Sequence, residues 1–127
     1  MHIASRVLLI DDEPRVGDAL RFALERHGVA VTQELTGADG QESARREPPD
    51  AILLDVGLSG EDGIDRLRAL KADPETQSIP VIMLSGRVDA ASIAIGLEAG
   101  AEDYITKPFT PAELRARISH HVRRRNG

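Results

Sequence analysis

Five polar side chains stand where short apolar runs stop. Asp11 and Asp12 follow Val7-Leu8-Leu9-Ile10, and Asp55 follows Ala51-Ile52-Leu53-Leu54. Ser85 follows Pro80-Val81-Ile82-Met83-Leu84, and Lys107 lies just beyond Tyr104-Ile105. Three carboxylates brought together repel one another, and each favours a proton unless a cation balances the charge. An all-oxygen donor set with few protein ligands suits Mg2+, which prefers an octahedron and keeps several waters; Mn2+ could substitute. The water-held positions can take phosphate oxygens. With Lys107 as a second cation and Ser85 as a hydroxyl donor, such a set would stabilise a transferring phosphoryl group, chiefly by position and electrostatics. A carboxylate can itself be the nucleophile, and Asp55, alone at the end of its run, is the best placed candidate.

For these groups to meet, the chain must bring four separated segments to one edge. The apolar runs read as buried strands, and between them apolar residues recur at helical spacing. From Pro14, the residues Val16, Leu20, Ala23, Leu24 and His27 share one helical stripe closed by Gly28. Val29 to Gln33 is a second strand, more polar and so expected at a sheet edge. Ala38 to Glu47 is a helix with few large apolar residues, stopped by Pro48-Pro49. Gly57, Gly60 and Gly63 make a loop after Asp55. Ile64, Leu67 and Leu70 then mark a third helix that closes at Asp73-Pro74. Ala90 to Glu98 is a fourth, capped by Gly100, and Thr110-Pro111 opens a fifth through Leu114, Ile118 and Val122. Five strand–helix units predict an α/β fold with a parallel sheet, helices on both faces and right-handed crossovers. Ligands of such sheets bind beyond the carboxyl ends of the strands, where all five polar groups fall.

Four segments carry a resemblance that extends over nearly the whole chain: VLLIDDEP at 7–14, ILLDVGLSGEDG at 52–63, PVIMLSG at 80–86 and GLEAGAEDYITKPF at 96–109. In this order and spacing they resemble the response-regulator receiver domain of two-component signalling, within the CheY-like superfamily. The C-terminal third is most similar to the transcription-factor branch. The resemblance implies a flavodoxin-like, doubly wound sandwich with a five-stranded parallel sheet of order 2-1-3-4-5 and five helices. It also implies one receiver domain over 1–127, with a core of about 5–122 and with 123–127 as a tail or the start of a linker.

Position by position, the resemblance makes Asp55 the phosphoacceptor. Asp12 and the backbone carbonyl of Gly57 join it as Mg2+ ligands, and Asp11 acts on the metal through water. Lys107 matches the phosphate-pairing lysine, Ser85 the switch hydroxyl, Tyr104 the aromatic switch, and Pro108 the residue after a cis peptide. Gly57 and Arg87 occupy positions that tune phosphoryl lifetime. Ser59 stands where many relatives carry proline, which predicts a less rigid loop. The implied function is to take a phosphoryl group from the phosphohistidine of a sensor histidine kinase or a histidine phosphotransfer protein. The surface of helix 4, strand 5 and helix 5 would then switch, with Tyr104 turning inward, to control an output partner. Such a domain promotes only its own phosphorylation and dephosphorylation and is not otherwise an enzyme. On the face through which relatives dimerise, Asp103 and Arg117 could retain one charge pair, whereas Ile93 and Ser119 replace charged residues. A phosphorylation-dependent homodimer therefore stays open.

Composition narrows the partners. The chain has 127 residues and a formal net charge of −5, with a pI near 5.3, so direct contact with nucleic acid is not expected. No apolar run approaches the roughly 20 residues of a membrane helix, and Met1 to Arg6 lacks the apolar stretch of a secretory signal. A cytoplasmic location with no membrane partner is the expectation. Cysteine is absent, and only Lys71 and Lys107 among 16 basic residues are lysine, which makes Lys107 conspicuous. Taken singly, several residues have plainer readings. Asp11-Asp12 could cap a helix. His120-His121 reads as a solvated helix face without metal, since adjacent helical residues diverge, and Arg123-Arg124-Arg125 as a helix end favoured by the dipole. An aspartyl-nucleophile phosphate-ester hydrolase usually has a second acid two residues after the nucleophile, where this chain has Gly57. A binding module that is never phosphorylated has no use for Asp12, Asp55, Ser85 and Lys107 together.

Overall fold

Strands without a polar face need cover on both sides, and the order of elements provides it. The computed structural model describes residues 5–58, 60–87 and 89–126. The expectations placed on Ser59, on Met1–Ala4 and on the Arg125 side chain lie outside the described residues. In chain order the elements are β1 (Ser5–Ile10), α1 (Pro14–Leu24), β2 (Val29–Glu34), α2 (Gly37–Arg46), β3 (Ala51–Asp55) and α3 (Gly63–Ala72). They continue with β4 (Val81–Ser85), α4 (Ala90–Glu98), β5 (Asp103–Thr106) and α5 (Pro111–Asn126). The strands form one parallel sheet of order β2-β1-β3-β4-β5, with β3 at its centre and the polar β2 at an edge. This is the doubly wound topology expected of the sequence.

Because side chains alternate across a strand, each run of aliphatics feeds two cores. Val7, Leu9, Leu53, Ile82, Leu84 and Ile105 meet Leu20 and Leu24 of α1 and Leu114 and Ile118 of α5. Leu8, Ile10, Ile52, Leu54, Met83 and Tyr104 meet Ala44 of α2 and Leu67 and Leu70 of α3. The scarcity of large apolar residues in α2 reflects close approach: a Cβ on Gly40 would lie 2.4 Å from Ile10 Cδ1. The helix packs by proximity rather than by bulk.

Local chemistry sets the helix starts. Thr36, Asp62 and Asp89 accept hydrogen bonds from the backbone N–H groups of Asp39, Ile64 and Ser92 at 3.1, 2.9 and 2.9 Å. Pro14 opens α1, whose last turn tightens into a 3-10 turn over Glu25–His27 before Gly28 at φ 82° ends it. His27 is consequently exposed rather than on the buried stripe, which corrects the helical reading of that residue. Residues 123 and 124 belong to α5.

Candidate functional site

Adjacent parallel strands end level. Ile10 of β1 pairs with Leu54 of β3, so the residues that follow, Asp11 and Asp55, emerge side by side. One carboxylate oxygen from each of Asp11, Asp12 and Asp55 falls within 4.8 Å of the others. Lys107 enters from the β5–α5 connection, its Nζ 3.4 Å from Asp55 Oδ1 and 3.6 Å from Asp11 Oδ2. Asp11, Asp55 and Ser85 are buried, at 1%, 9% and 4% exposure. Asp11 Oδ1 accepts the Glu13 N–H at 2.9 Å. Its Oδ2 is the one buried side-chain polar atom among the described residues with no hydrogen-bond partner. Burial raises the Asp11 pKa above its ordinary value, and the charges of Asp55 and Asp12 add to that rise. The Glu13 N–H and Lys107 oppose it.

The carboxylates of the cluster are all-oxygen donors, largely buried and rich in negative charge, with Lys107 the ammonium paired to Asp11 and Asp55. These residues fit a divalent cation that accepts oxygen donors. They do not act as helix caps: Glu13 is the N-cap of α1, and its side chain makes no capping bond.

Backbone groups complete the surroundings. Gly57 N donates to Asp55 Oδ1 at 3.2 Å, and a Cβ at Gly57 would meet nothing nearer than that oxygen at 4.0 Å. The N-terminus of α3 abuts the same strand end, since Gly63 N donates to Val56 O at 2.9 Å. Arg87 N donates to Ser85 Oγ at 3.0 Å, and Lys107 N donates to Ser85 O at 2.7 Å, which ties the end of β4 to the Lys107 turn. The Lys107–Pro108 peptide is cis.

A cavity of about 390 Å³ opens beside the acids, lined among others by Asp55, Gly57, Ser85, Arg87, Ile95 and Tyr104. The structure thus gathers Asp11, Asp12, Asp55 and Lys107 on one side of the β3 end. Ser85, Gly57, Arg87 and Tyr104 border the cavity on the other. The Tyr104 ring is already buried at 9% exposure, against Gly96, where a Cβ would lie 3.1 Å from Tyr104 Cδ2. The ring therefore stands inward, between Gly96 and the cavity.

Two further sets of residues escaped the sequence reading, and a third, around His121, differs from it. Gln33 of β2 donates through Nε2 to the carbonyls of Asp11 at 2.8 Å and Glu13 at 3.0 Å; its signal was a polar residue on the strand face of Val29 and Val31. Arg66 pairs with Glu61 at 3.0 Å and donates to buried Gln41 at 2.7 Å, anchoring the connection that follows Gly60 to α2 and α3. His121 is 7% exposed and sits 2.9 Å from Asp103 Oδ2, while Arg117 donates to Asp103 Oδ1 at 2.6 Å. This corrects the solvated-face reading of His121. Its spacing of seven from Leu114 and three from Ile118 marked the buried stripe. The Asp103–Arg117 pair is made within one chain.

A family model for the response regulator receiver domain matches residues 7–119. The chain belongs to that family. It is 46% identical to the transcriptional regulatory protein CseB of Streptomyces coelicolor over 120 residues, covering 94% of this chain and 50% of that protein. It is 44% identical to the transcriptional regulatory protein KdpE of Mycobacterium tuberculosis over 118 residues, covering 93% of this chain and 51% of that protein. Both of these relatives are named as transcriptional regulators, and the chain spans about half the length of the curated relatives it matches. Among solved structures, the BeF3-activated N-terminal receiver domain of Klebsiella pneumoniae RstA superposes with a TM-score of 0.84 at 34% identity, covering 93% of this chain and 98% of that one. The receiver domain of a sensor histidine kinase from Pseudomonas aeruginosa PAO1, solved with a magnesium ion in its active-site cleft, gives 0.83 at 30% identity, covering 93% and 97%. Among the described residues, no helix is long and apolar enough to cross a membrane.

Proposed function

We propose that this receiver accepts a phosphoryl group on Asp55 and uses it as a reversible switch. The observation that carries the reading is the placement of Asp55 at the end of the central strand, within 4.8 Å of Asp11 and Asp12 and 3.4 Å from the Lys107 ammonium. An Asp55 carboxylate oxygen attacks the phosphorus of a phosphohistidine, the P–N bond breaks, and the imidazole leaves with the electron pair. Asp12, Asp55 and the Gly57 carbonyl would hold Mg2+, with Asp11 acting through water. When bound, the ion neutralises phosphate charge and orients its oxygens. Lys107 pairs with the phosphoryl oxygens. Ser85 turns its hydroxyl from the Arg87 N–H toward them, and the cavity bordered by Tyr104 and Ile95 transmits that movement to α4, β5 and α5.

The donor is a sensor histidine kinase or a histidine phosphotransfer protein, met in the cytoplasm. The output is a domain or partner that prefers the switched surface. Relatives named as transcriptional regulators are about twice as long as this chain. We assign DNA contact to the part of those proteins outside the matched span and none to this acidic chain. A homodimer formed on switching would have to draw on a face where Arg117 is already engaged by Asp103. Gly57 and Arg87 set the lifetime of the phosphoryl group, Gly57 by leaving room for water and Arg87 by bordering the cavity.

Incubation with Mg2+ and a small phosphodonor, followed by intact mass, tests the reading. One acid-stable, base-labile phosphoryl addition, absent from Asp55→Asn, is expected. No addition to the wild-type chain refutes it and favours a module that binds without phosphorylation.

A further inference from the structure

We propose that Gln33 is the positioning residue of the acidic turn: its amide fixes the backbone from which Asp11 and Asp12 present their carboxylates, and so sets the affinity of the site for a divalent cation. The inference rests on the reading that these acids hold such a cation. Gln33 belongs to the edge strand β2, paired with Leu9 of β1. One side-chain nitrogen reaches over the end of β1 and donates to Asp11 O at 2.8 Å and Glu13 O at 3.0 Å. The two carbonyls flank Asp12. Asp11 N is tied to the same strand, donating to Glu34 O at 3.1 Å. Three backbone groups of the turn are therefore anchored to β2.

The anchor has work to do because the turn carries two of three mutually repelling carboxylates. A turn free to relax would let Asp12 swing away from Asp11 and Asp55. Both N–H groups of one amide, held on carbonyls either side of Asp12, oppose that motion without adding charge. Removal of outer partners that orient ligands in this way typically weakens metal binding by about 10–100-fold.

Gly17 of α1 makes the reach possible. A Cβ built there would stand 1.9 Å from Gln33 Oε1 and 2.8 Å from Cδ, so a side chain at 17 and the Gln33 amide cannot occupy the same space. Only the flexible end of Gln33 is in the way, and alanine at 17 would displace it rather than break the helix. Gln33 and Gly17 thus form one device from two elements.

The test measures binding of Mn2+ by electron paramagnetic resonance, and of Mg2+ by calorimetry, to the whole chain, Gln33→Met, Gly17→Ala and the double variant. Methionine keeps the length of the side chain and removes the amide. Each single variant is expected to bind about tenfold more weakly, and the double variant no more weakly than either, because both remove the same contact. Gly17→Ala raises helix propensity, so its melting temperature should hold or rise while metal affinity falls, a divergence that a merely destabilised fold cannot give. Wild-type affinity in either single variant overturns the role of Gln33. If Gln33→Met does not fold, Gly17→Ala decides alone. Absence of Mn2+ binding to the wild-type chain would sink the functional reading itself, whereas normal wild-type binding with unaffected variants would sink only this inference.

Discussion

Replacing Asp11 by asparagine should make the metal-free protein more stable and less responsive to Mg2+. At an effective dielectric constant of about 20, two unit charges at 4.8 Å, the outer limit of the spacing among these acids, repel by about 3.5 kcal/mol. Asp11 has two such neighbours, Asp12 and Asp55, for about 7 kcal/mol in all. Lys107, at 3.6 Å, returns about 4.6 kcal/mol. The balance is about 2.4 kcal/mol of repulsion, and burial of the Asp11 carboxylate acts in the same direction. Partial exposure of Asp12 screens its share, so the expected gain on neutralising Asp11 is about 1–2 kcal/mol. With an unfolding entropy of about 2.1 cal/mol/K per residue, that gain corresponds to a rise of about 4–7 °C in melting temperature.

The sign follows from the raised Asp11 pKa. Its favourable contribution belongs to the protonated form, is complete below the ordinary carboxyl value and is lost as pH rises through the folded value. The advantage of Asp11→Asn must therefore appear at neutral pH and vanish in acid. Far-UV circular dichroism melts in a chelator, repeated with Mg2+, supply the assay. At a hundred times its dissociation constant, Mg2+ should stabilise the wild-type chain by about 2.7 kcal/mol, enough to overtake the variant. A variant no more stable than wild type in chelator, or one that gains as much from Mg2+, refutes the argument.

Two other substitutions probe what holds the site. A Cβ at Gly63 would stand 2.5 Å from the backbone oxygen of Asp55 and 2.6 Å from Val56 Cα, atoms that cannot step aside. Gly63→Ala should cost about 1–3 kcal/mol in urea unfolding despite its better helix propensity, and an unchanged midpoint contradicts that packing. Burial opposes the ionised form of Asp103, but His121, the Tyr104 N–H and Arg117 overcome it and hold its carboxyl below the ordinary value. Its stabilising contribution is thus present above the ordinary pKa and lost as pH falls through the folded one. Asp103→Asn should be less stable than wild type at neutral pH and converge with it in acid; parallel stability curves across that range would dismiss the network.

The strand ends were legible because burial on both faces confines polar residues to the ends of a short aliphatic run, and the C-terminal ends of parallel strands share one edge. Asp11, Asp55 and Ser85 announce themselves in this way. The parallel alternation then dictates that they converge. What stayed hidden depends on contacts between faces of different elements. Nothing in the stretch around Gly17 says that the missing side chain makes room for Gln33. Nothing in the sparse apolar pattern of α2 says that Gly40 brings the helix onto Ile10. His121 was readable from its spacing on α5, but adjacency to His120 drew attention to the wrong property. The Arg66–Gln41–Glu61 chain, built from ordinary surface residue types, has no signature until α2 and α3 are side by side.

Satisfaction of buried polar groups separates Asp11 from the other buried polar residues among the described ones. Gln41 is hydrogen-bonded to Ala69 O and Asp73, Thr76 Oγ1 donates to Leu70 O at 2.7 Å, His121 meets Asp103, and Ser85 Oγ accepts the Arg87 N–H. These groups stabilise the chain in which they sit. Asp11 Oδ2, a buried carboxylate oxygen of the cluster, has only a 3.6 Å ion contact to Lys107. An asparagine or an apolar residue of similar size would serve the fold better at that position. A natural sequence departs from local consistency where function requires it, and among the described residues the buried polar atom left without a partner is this one oxygen, amid the negative charge and beside Asp55. On the proposed function, the instability at Asp11 is the thermodynamic counterpart of cation affinity: what the acids lose by crowding is what a bound divalent ion would restore.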